Sequence, residues 1–552
     1  MPGPGAAEVA DDQAIAMVVG AGVVVADERA PDTLLEPLND SGQDHGPSNN
    51  RQGRGRTHRP SDSFDEMGLG RVSTNAAYSA VSELGMEEDG ITPSMPAKPL
   101  SFLALLILIF YGVSGGPFGV EVAVASGGPL LTLAGFLVLP LMWSIPEAMV
   151  TAELSTAFPE PAGFVAWVDA AYGPFWAFME GYASWLSGVA DNSLYPVLLL
   201  DYLVDILPED TPLAAGPVRW SFLFGVSALL TYVNYRGLRV VGYAALAVCV
   251  FSLAPFFVMV LWGLPQCNSP GNWLDLPEGG WGAVAWGDFL NIMFWNLNYW
   301  DSAASFAGEV NDPGRKFPLA MFSCVVLVIL CNGLPILVGT CQEEDGDYSL
   351  WEDGYFATVA EGIAGKWLGV WVVVAAAVSN VGLFEAEMSS DALQLMGMAE
   401  RGMLPSVFAR RGRHGTPVLA TLVSATGIVF LGFLNFSSIV ELLNCLYCLA
   451  QLLEFAAFIR LRVKSPDIER PYRIPLSTNG CMVMLAPAVL FLCILLVFSS
   501  WKTWVTSLGL IIAGLALYPF LERCKQRGWC EFVGAADDPA GPDRFGPDTA
   551  KL

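Results

Sequence analysis

Asp301 closes the run Trp295-Asn-Leu-Asn-Tyr-Trp-Asp301, a polar and aromatic stretch with apolar sequence on either side. A carboxylate held among aromatic rings away from water is a site for an ammonium group. The charge pairs with the carboxylate, and each face of Trp295, Tyr299 or Trp300 adds about 0.5–2 kcal/mol when desolvated. The same three rings also suit ordinary packing, and Asp301 and Ser302 also suit capping of a helix that resumes there, a role compatible with ligand binding. Further acids stand in apolar surroundings: Glu121, Glu147, Asp191, Glu387 and Asp391, with Glu180 and Glu454 expected at membrane interfaces. Charged side chains in such surroundings are costly, and they mark ligand or proton paths. No nucleophile–base pair, metal-ligand cluster or phosphate loop is visible, so neither an enzyme nor a cofactor is expected. The one CxxC, Cys445 to Cys448, lies in apolar sequence and reads as helix packing.

The elements that must carry these groups are membrane helices. Of 552 residues, 53% are hydrophobic and 15% charged, against roughly a quarter charged in soluble domains. A net charge of −26 disfavours a nucleic-acid partner, since phosphate binding needs basic surface. Residues 1–98 hold 16 acids and 7 Lys or Arg among Gly, Pro, Ser and Asn, the composition of a disordered tail. The tail's one apolar run, 14–26, is too short to span a bilayer and comes after acids, so no cleaved targeting segment is expected.

Twelve apolar stretches long enough to cross a bilayer come next, at about 101–126, 129–152, 174–204, 218–235, 240–264, 284–309, 317–340, 366–392, 417–434, 437–459, 481–499 and 503–521. The expected organisation is a tail over 1–98, a membrane domain over 99–523 and a second tail over 524–552. With both termini cytosolic, only Arg219, Lys366 and Lys502 fall on the outer side, in keeping with the preference of basic residues for the cytosol. The outer loop after the seventh span is acidic, with Glu343, Glu344, Asp345, Asp347, Glu352 and Asp353. It reads as a solvated face or as a funnel that concentrates cations.

Two spans are broken. The first contains Phe110-Tyr-Gly-Val-Ser-Gly-Gly-Pro-Phe-Gly119, whose glycines and proline remove helix propensity and a backbone donor. The sixth, five spans later, contains the run ending at Asp301. Interrupted helices at corresponding positions of two halves point to a transporter site, because unwound backbone offers free polar groups. Backbone groups of Ser114, Gly115 and Gly116 then face Trp295, Asn296, Tyr299 and Asp301. Trp295 and Tyr299, spaced i, i+4, share a face if helical, and Trp295 is the expected gate. Glu121 is placed either to take a second ammonium or to complement a half-helix dipole. If the second span starts near Pro129, Glu147 lies about 27 Å along it and suits a proton relay or inner gate, as do Glu387 and Asp191.

Ser114-Gly-Gly-Pro-Phe-Gly-Val-Glu121, Trp143-Ser-Ile-Pro-Glu147, Phe294-Trp-Asn-Leu-Asn-Tyr-Trp-Asp-Ser302, Gly308-Glu-Val310, Ala386-Glu-Met-Ser-Ser-Asp391 and Met398-Ala-Glu-Arg-Gly-Met-Leu-Pro405 together resemble the plant polyamine uptake transporters of the amino acid-polyamine-organocation superfamily. The resemblance covers about residues 100–535. It implies an all-α membrane protein of twelve helices, a five-plus-five inverted repeat of the leucine-transporter type with two additional helices. It implies proton-coupled import of putrescine, spermidine or spermine across the plasma membrane, although endomembrane residence stays open. The family pattern has acids where this chain has Gly112 and Leu443, and apolar residues where it has Glu385 and Glu441. Because no His and no central Lys lies in the first ten spans, a proton mechanism would use carboxylates. Sodium coupling through Ser379 and Asn380, an amino acid permease of the same fold and a non-transporting sensor are the alternatives.

Overall fold

The computed structural model describes residues 100–533, apart from 161, 206–210, 214, 215, 237, 344, 345 and 435. The expected 1–98 tail, most of the 524–552 tail, Glu344 and Asp345 lie outside the described residues. The described chain is helical, with two isolated bridges, Leu100 to Val310 and Arg411 to Pro417, in place of any sheet.

Helix α1 (Phe102–Val113) starts at Ser101, whose hydroxyl accepts from the Ala104 N–H at 3.2 Å. It stops where the glycines begin. Gly115 and Gly119 take left-handed φ of 65° and 76°, and a Cβ on Gly115 would sit 2.5 Å from Leu383. Helix α2 (Glu121–Leu139) resumes after the break and turns sharply at Gly128. A side chain at Gly128 would strike the Asp275 carbonyl, which instead accepts from Leu130 N–H at 3.1 Å.

Prolines 140 and 146 then interrupt the helical ladder. A π-turn over Pro140–Ser144 leads into α3 (Ile145–Ala157), and its extra residue rotates α3 about its axis. That rotation brings Ser144 Oγ to the Leu297 carbonyl (3.1 Å) and Glu147 to the Trp300 N–H (3.0 Å).

The short α4 (Phe164–Tyr172) leads to the long α5 (Pro174–Asp205), then to α6 (Gly216–Tyr235) and α7 (Leu238–Gly263). The second break separates α8 (Trp286–Trp295) from 3-10 turns over Asp301–Glu309. Next come α9 (Pro313–Gln342), α10 (Tyr355–Ala364), α11 (Lys366–Glu400), α12 (Val418–Leu431), α13 (Phe436–Lys464), α14 (Thr478–Phe498) and α15 (Trp501–Arg527). The centre of the bundle is α5 packed against α11 and α13.

Among the described residues seven segments are long and apolar enough to cross a membrane: Glu121–Ala157, Leu246–Gln266, Pro313–Gln342, Lys366–Glu400, Phe436–Lys464, Thr478–Phe498 and Trp501–Arg527. Four of the five other expected spans, all but 218–235, have physical reasons for falling short. Both broken spans are split into short pieces, α12 has 14 residues, and α5 carries Glu180 and Asp191 in its interior.

The two ends of the bundle are fastened differently. On one, Cys267 is disulfide-bonded to Cys341 at the end of α9, a pairing the sequence spacing did not announce. The intervening loop is tied down by Asn272 to the Thr340 and Glu343 carbonyls and by Trp273 to the Leu337 carbonyl. Tyr348 donates to Asp275 at 2.9 Å, and burial together with that carboxylate pushes its phenol up. On the other end, buried Glu153 pairs with Arg462 and with Arg470 (3.1 Å). Arg401 there bridges Glu160 (3.1 Å) and Asp169 (2.5 Å).

Candidate functional site

The two breaks meet. Gly112, Val113 and Ser114 face Trp295, Asn296 and Tyr299 across a cavity of about 10 Å³, completed by Asp191 and Tyr195 of α5 and Leu383 of α11. That volume is near the minimum for a single water, so the site is closed in this conformation. A larger cavity of about 350 Å³ lies between α5, α6 and α12, lined largely by Pro196, Trp220, Leu223, Phe224, Ile428 and Phe433. It is mostly apolar, touches neither break, and has no charged residue among the described ones that line it, so the small polar cavity is the better site.

Asp191 is the charged residue that lines the small cavity. Its oxygens are held by Trp295 Nε1 (2.7 Å) and by the Tyr195 hydroxyl (2.6 Å). Trp295 lines the site and is packed on both flanks. A Cβ on Gly119 would lie 2.7 Å from its ring, and Phe436 meets it edge-on at 5.5 Å. The expected gate is therefore in contact with both breaks, and its indole bridges to α5.

The break in the sixth span is held open by partners rather than left bare. Tyr299 has φ of 64°, rare without glycine, and its hydroxyl lies 2.7 Å from Ser187 Oγ. The Leu297 carbonyl accepts from Ser144 and from Trp300 Nε1 (2.8 Å), and Asn444 of α13 donates to Asn291 and accepts from Asn298. Asn296 lines the cavity, and its amide donates back to the Ile292 carbonyl at 3.0 Å.

Asp301 does not line the cavity. It lies in a second group, on the far side of Tyr299, where the Tyr447 hydroxyl is 2.7 Å from Asp301 Oδ1 and also bonded to Glu147 Oε1. The Tyr299 N–H donates to the same Tyr447 oxygen at 3.1 Å. Glu454 and Glu180 are within electrostatic reach of Asp301, and both are buried. Packing of α5 against α13 encloses both.

The remaining candidates divide. Ser114 lines the cavity and accepts from Asn332 at 3.2 Å, while the Gly115 carbonyl accepts from Ser379 at 2.6 Å. Gly116 faces Phe118 and does not reach the cavity. Glu121 is the first residue of α2 and accepts from the Gly354 N–H of the loop after α9 at 3.3 Å, away from the cavity. Glu387 is buried beside Asp391, opposite Gly188 of α5. In the acidic loop Glu343 accepts from Trp351 Nε1 and Tyr355, and hydrogen bonds from Ser349 hold Asp347 below the usual carboxylate range.

Tyr195, Ser187, Asn444 and Tyr447 were not singled out from the sequence. Tyr195 had a local signal, its i+4 spacing from Asp191. Tyr447 had only its place in the apolar run around Cys445 and Cys448, both of which are buried in α13.

The profile of the amino acid permease family matches residues 100–516. A probable polyamine transporter of Arabidopsis thaliana is 50% identical over 456 residues, covering 82% of this chain and 94% of that protein. The polyamine transporter PUT1 of Oryza sativa subsp. japonica is 49% identical over 455 residues, covering 81% and 84%. The polyamine transporter RMV1 of Arabidopsis thaliana is 47% identical over 440 residues, covering 80% and 90%. The chain belongs to the amino acid permease family, and is thus a multi-pass membrane protein and not an enzyme.

Proposed function

We propose that this chain imports polyamines, putrescine, spermidine or spermine, by proton symport. The observation that carries the substrate class is the cavity between the two breaks, in which the charged lining residue is the carboxylate of Asp191, set among Trp295, Tyr195 and Tyr299. Such a site favours an alkyl-ammonium chain and repels a free carboxylate, which sets polyamines above neutral amino acids as cargo. The names of the relatives agree with this. In this reading Asp191, Trp295, Asn296, Tyr299 and Ser114 contact substrate, and Gly115 and Gly116 shape the backbone beside it.

Asp301 and Glu147 serve the proton. Tyr447 has one hydroxyl proton, yet its oxygen is bonded to both carboxyl groups. The pair of bonds is complete only when one carboxyl group carries a proton of its own. Tyr299 joins this group to the cavity through its N–H, so loading of the site and proton occupancy are mechanically linked.

The fold reading extends to twelve spans in a five-plus-five inverted repeat, with α1–α2 and α8 with its 3-10 turns as the equivalent broken members. Both tails are assigned to the cytosol and the carrier to the plasma membrane. The disulfide supports this orientation, since it requires an oxidising compartment and Cys267 and Cys341 stand opposite the basic loops. The test is uptake of labelled spermidine into vesicles reconstituted with the purified chain. Uptake driven by an inward proton gradient, and competed by polyamines but not by amino acids, is the expected result. Competition by arginine or neutral amino acids instead would select the amino acid permease reading.

A further inference from the structure

Below the cavity, α5 and α11 enclose a second acidic seam. On α11, Leu383 lines the cavity, Glu387 comes one turn on and Asp391 one turn further, so each step is about 6 Å along the axis. Gly188 of α5, less than one turn from Asp191, faces both acids. A Cβ there would lie 2.2 Å from Asp391 Oδ1 and 2.9 Å from Glu387 Oε1. The room for the two carboxylates therefore depends on glycine. Both acids are buried, with relative exposures of 3% and 2%. Among the described residues Glu387 Oε2 and Asp391 Oδ2 have no hydrogen-bond partner. Among them too, no Lys, Arg or His pairs with Asp191, Glu387 or Asp391. Buried carboxylate oxygens without donors are costly to keep, and a donor-rich cation from outside the chain would satisfy them.

We propose that Glu387 and Asp391 form a distal ammonium subsite that measures the length of the bound polyamine. The inference rests on the polyamine reading above and deepens it. Glu387 and Asp391 stand one turn apart on α11, close to the spacing of amines joined by three or four methylenes, and Asp191 of α5 lies within electrostatic reach of both. Asp191 and Glu387 hold the two ends of a diamine. Asp391 is reached only by a triamine or tetraamine. Each added amine brings several N–H donors to oxygens that the protein leaves unpaired, so longer substrates gain affinity stepwise.

The test compares KM for putrescine, spermidine and spermine in reconstituted vesicles bearing wild type, Asp391→Asn or Gly188→Ala. Asp391→Asn keeps size and removes the charge. Gly188→Ala keeps both acids and fills the space between them. For Asp391→Asn the expected result is a KM raised about tenfold or more for spermidine and spermine, as for loss of a charge-assisted hydrogen bond, with putrescine within about twofold; Gly188→Ala, which crowds Asp391 more closely than Glu387, is expected to raise KM for spermidine and spermine more than for putrescine. Glu387→Gln is expected to weaken all three. An equal loss for all three amines in Asp391→Asn and Gly188→Ala, or unchanged spermidine and spermine kinetics, would overturn the inference. If Asp391→Asn does not fold, the Gly188→Ala comparison decides alone. Absence of polyamine uptake by the wild-type chain would instead remove the parent reading, an outcome visible before any variant is made.

Discussion

Trp295 Nε1 donates to Asp191 Oδ1 at 2.7 Å, joining the last residue of α8 to the middle of α5. The indole and the carboxylate that line the cavity are thus tied to each other. In the proposed function an arriving ammonium competes with the indole for the same oxygen, and binding of the cation and release of Trp295 become one event.

Asp191→Asn should therefore abolish high-affinity uptake while leaving the protein at the membrane. Loss of a charge-assisted contact to the substrate predicts a fall in kcat/KM of about tenfold or more. Initial-rate uptake of labelled spermidine, with surface biotinylation as the control for delivery, measures it. Retention of wild-type kinetics would exclude Asp191 as the ammonium partner.

Tyr447→Phe removes the hydroxyl shared by Asp301 and Glu147 and keeps the ring that packs on Tyr299, whose centroid is 4.6 Å away. Exchange of internal for external polyamine should persist, while accumulation driven by a proton gradient is lost. The wild type should transport faster as external pH falls, because protons entering with substrate load the Asp301–Glu147 group from outside, and a protonophore should collapse accumulation. Asp301→Asn should behave as Tyr447→Phe does. Accumulation in either variant equal to wild type, or a sodium requirement, would count against the assignment.

Glu153→Gln leaves Arg462 and Arg470 without the carboxylate that both use. Removing one partner of a buried ion pair costs about 3–5 kcal/mol, because the remaining charge stays desolvated. The purified variant should melt at a clearly lower temperature in detergent, with KM unchanged in whatever fraction stays folded. A melting temperature equal to wild type would show that water reaches the arginines.

The Cys267–Cys341 bond gives orientation a direct readout. On intact cells, a membrane-impermeant maleimide should label these residues only after mild reduction, and a Cys267→Ser/Cys341→Ser chain should lose that labelling. Labelling that requires permeabilised cells would place this face in the cytosol and reverse the assigned orientation.

Where the helices break was legible in the sequence, because a break is a local property. Gly115, Gly116 and Pro117 together lower helix propensity and remove a backbone donor, and the run from Asn296 to Asp301 interrupts apolar sequence with groups that need partners. The meeting of the two breaks and the burial of Glu147 and Asp191 were reached by the same reasoning. Which carboxylate faces the cavity was not. Asp301 sits in the break and Asp191 is 110 positions earlier, yet it is Asp191 that lines the site. The rotation of a helix about its axis is set by what it packs against. Here the π-turn at Pro140–Ser144 swings Glu147 toward Trp300, while α13 presents Tyr447 to Asp301. The enclosure of Glu180 and Glu454 and the pairing of Cys267 with Cys341 depend on segments distant in sequence. Those contacts exist only once the helices have packed.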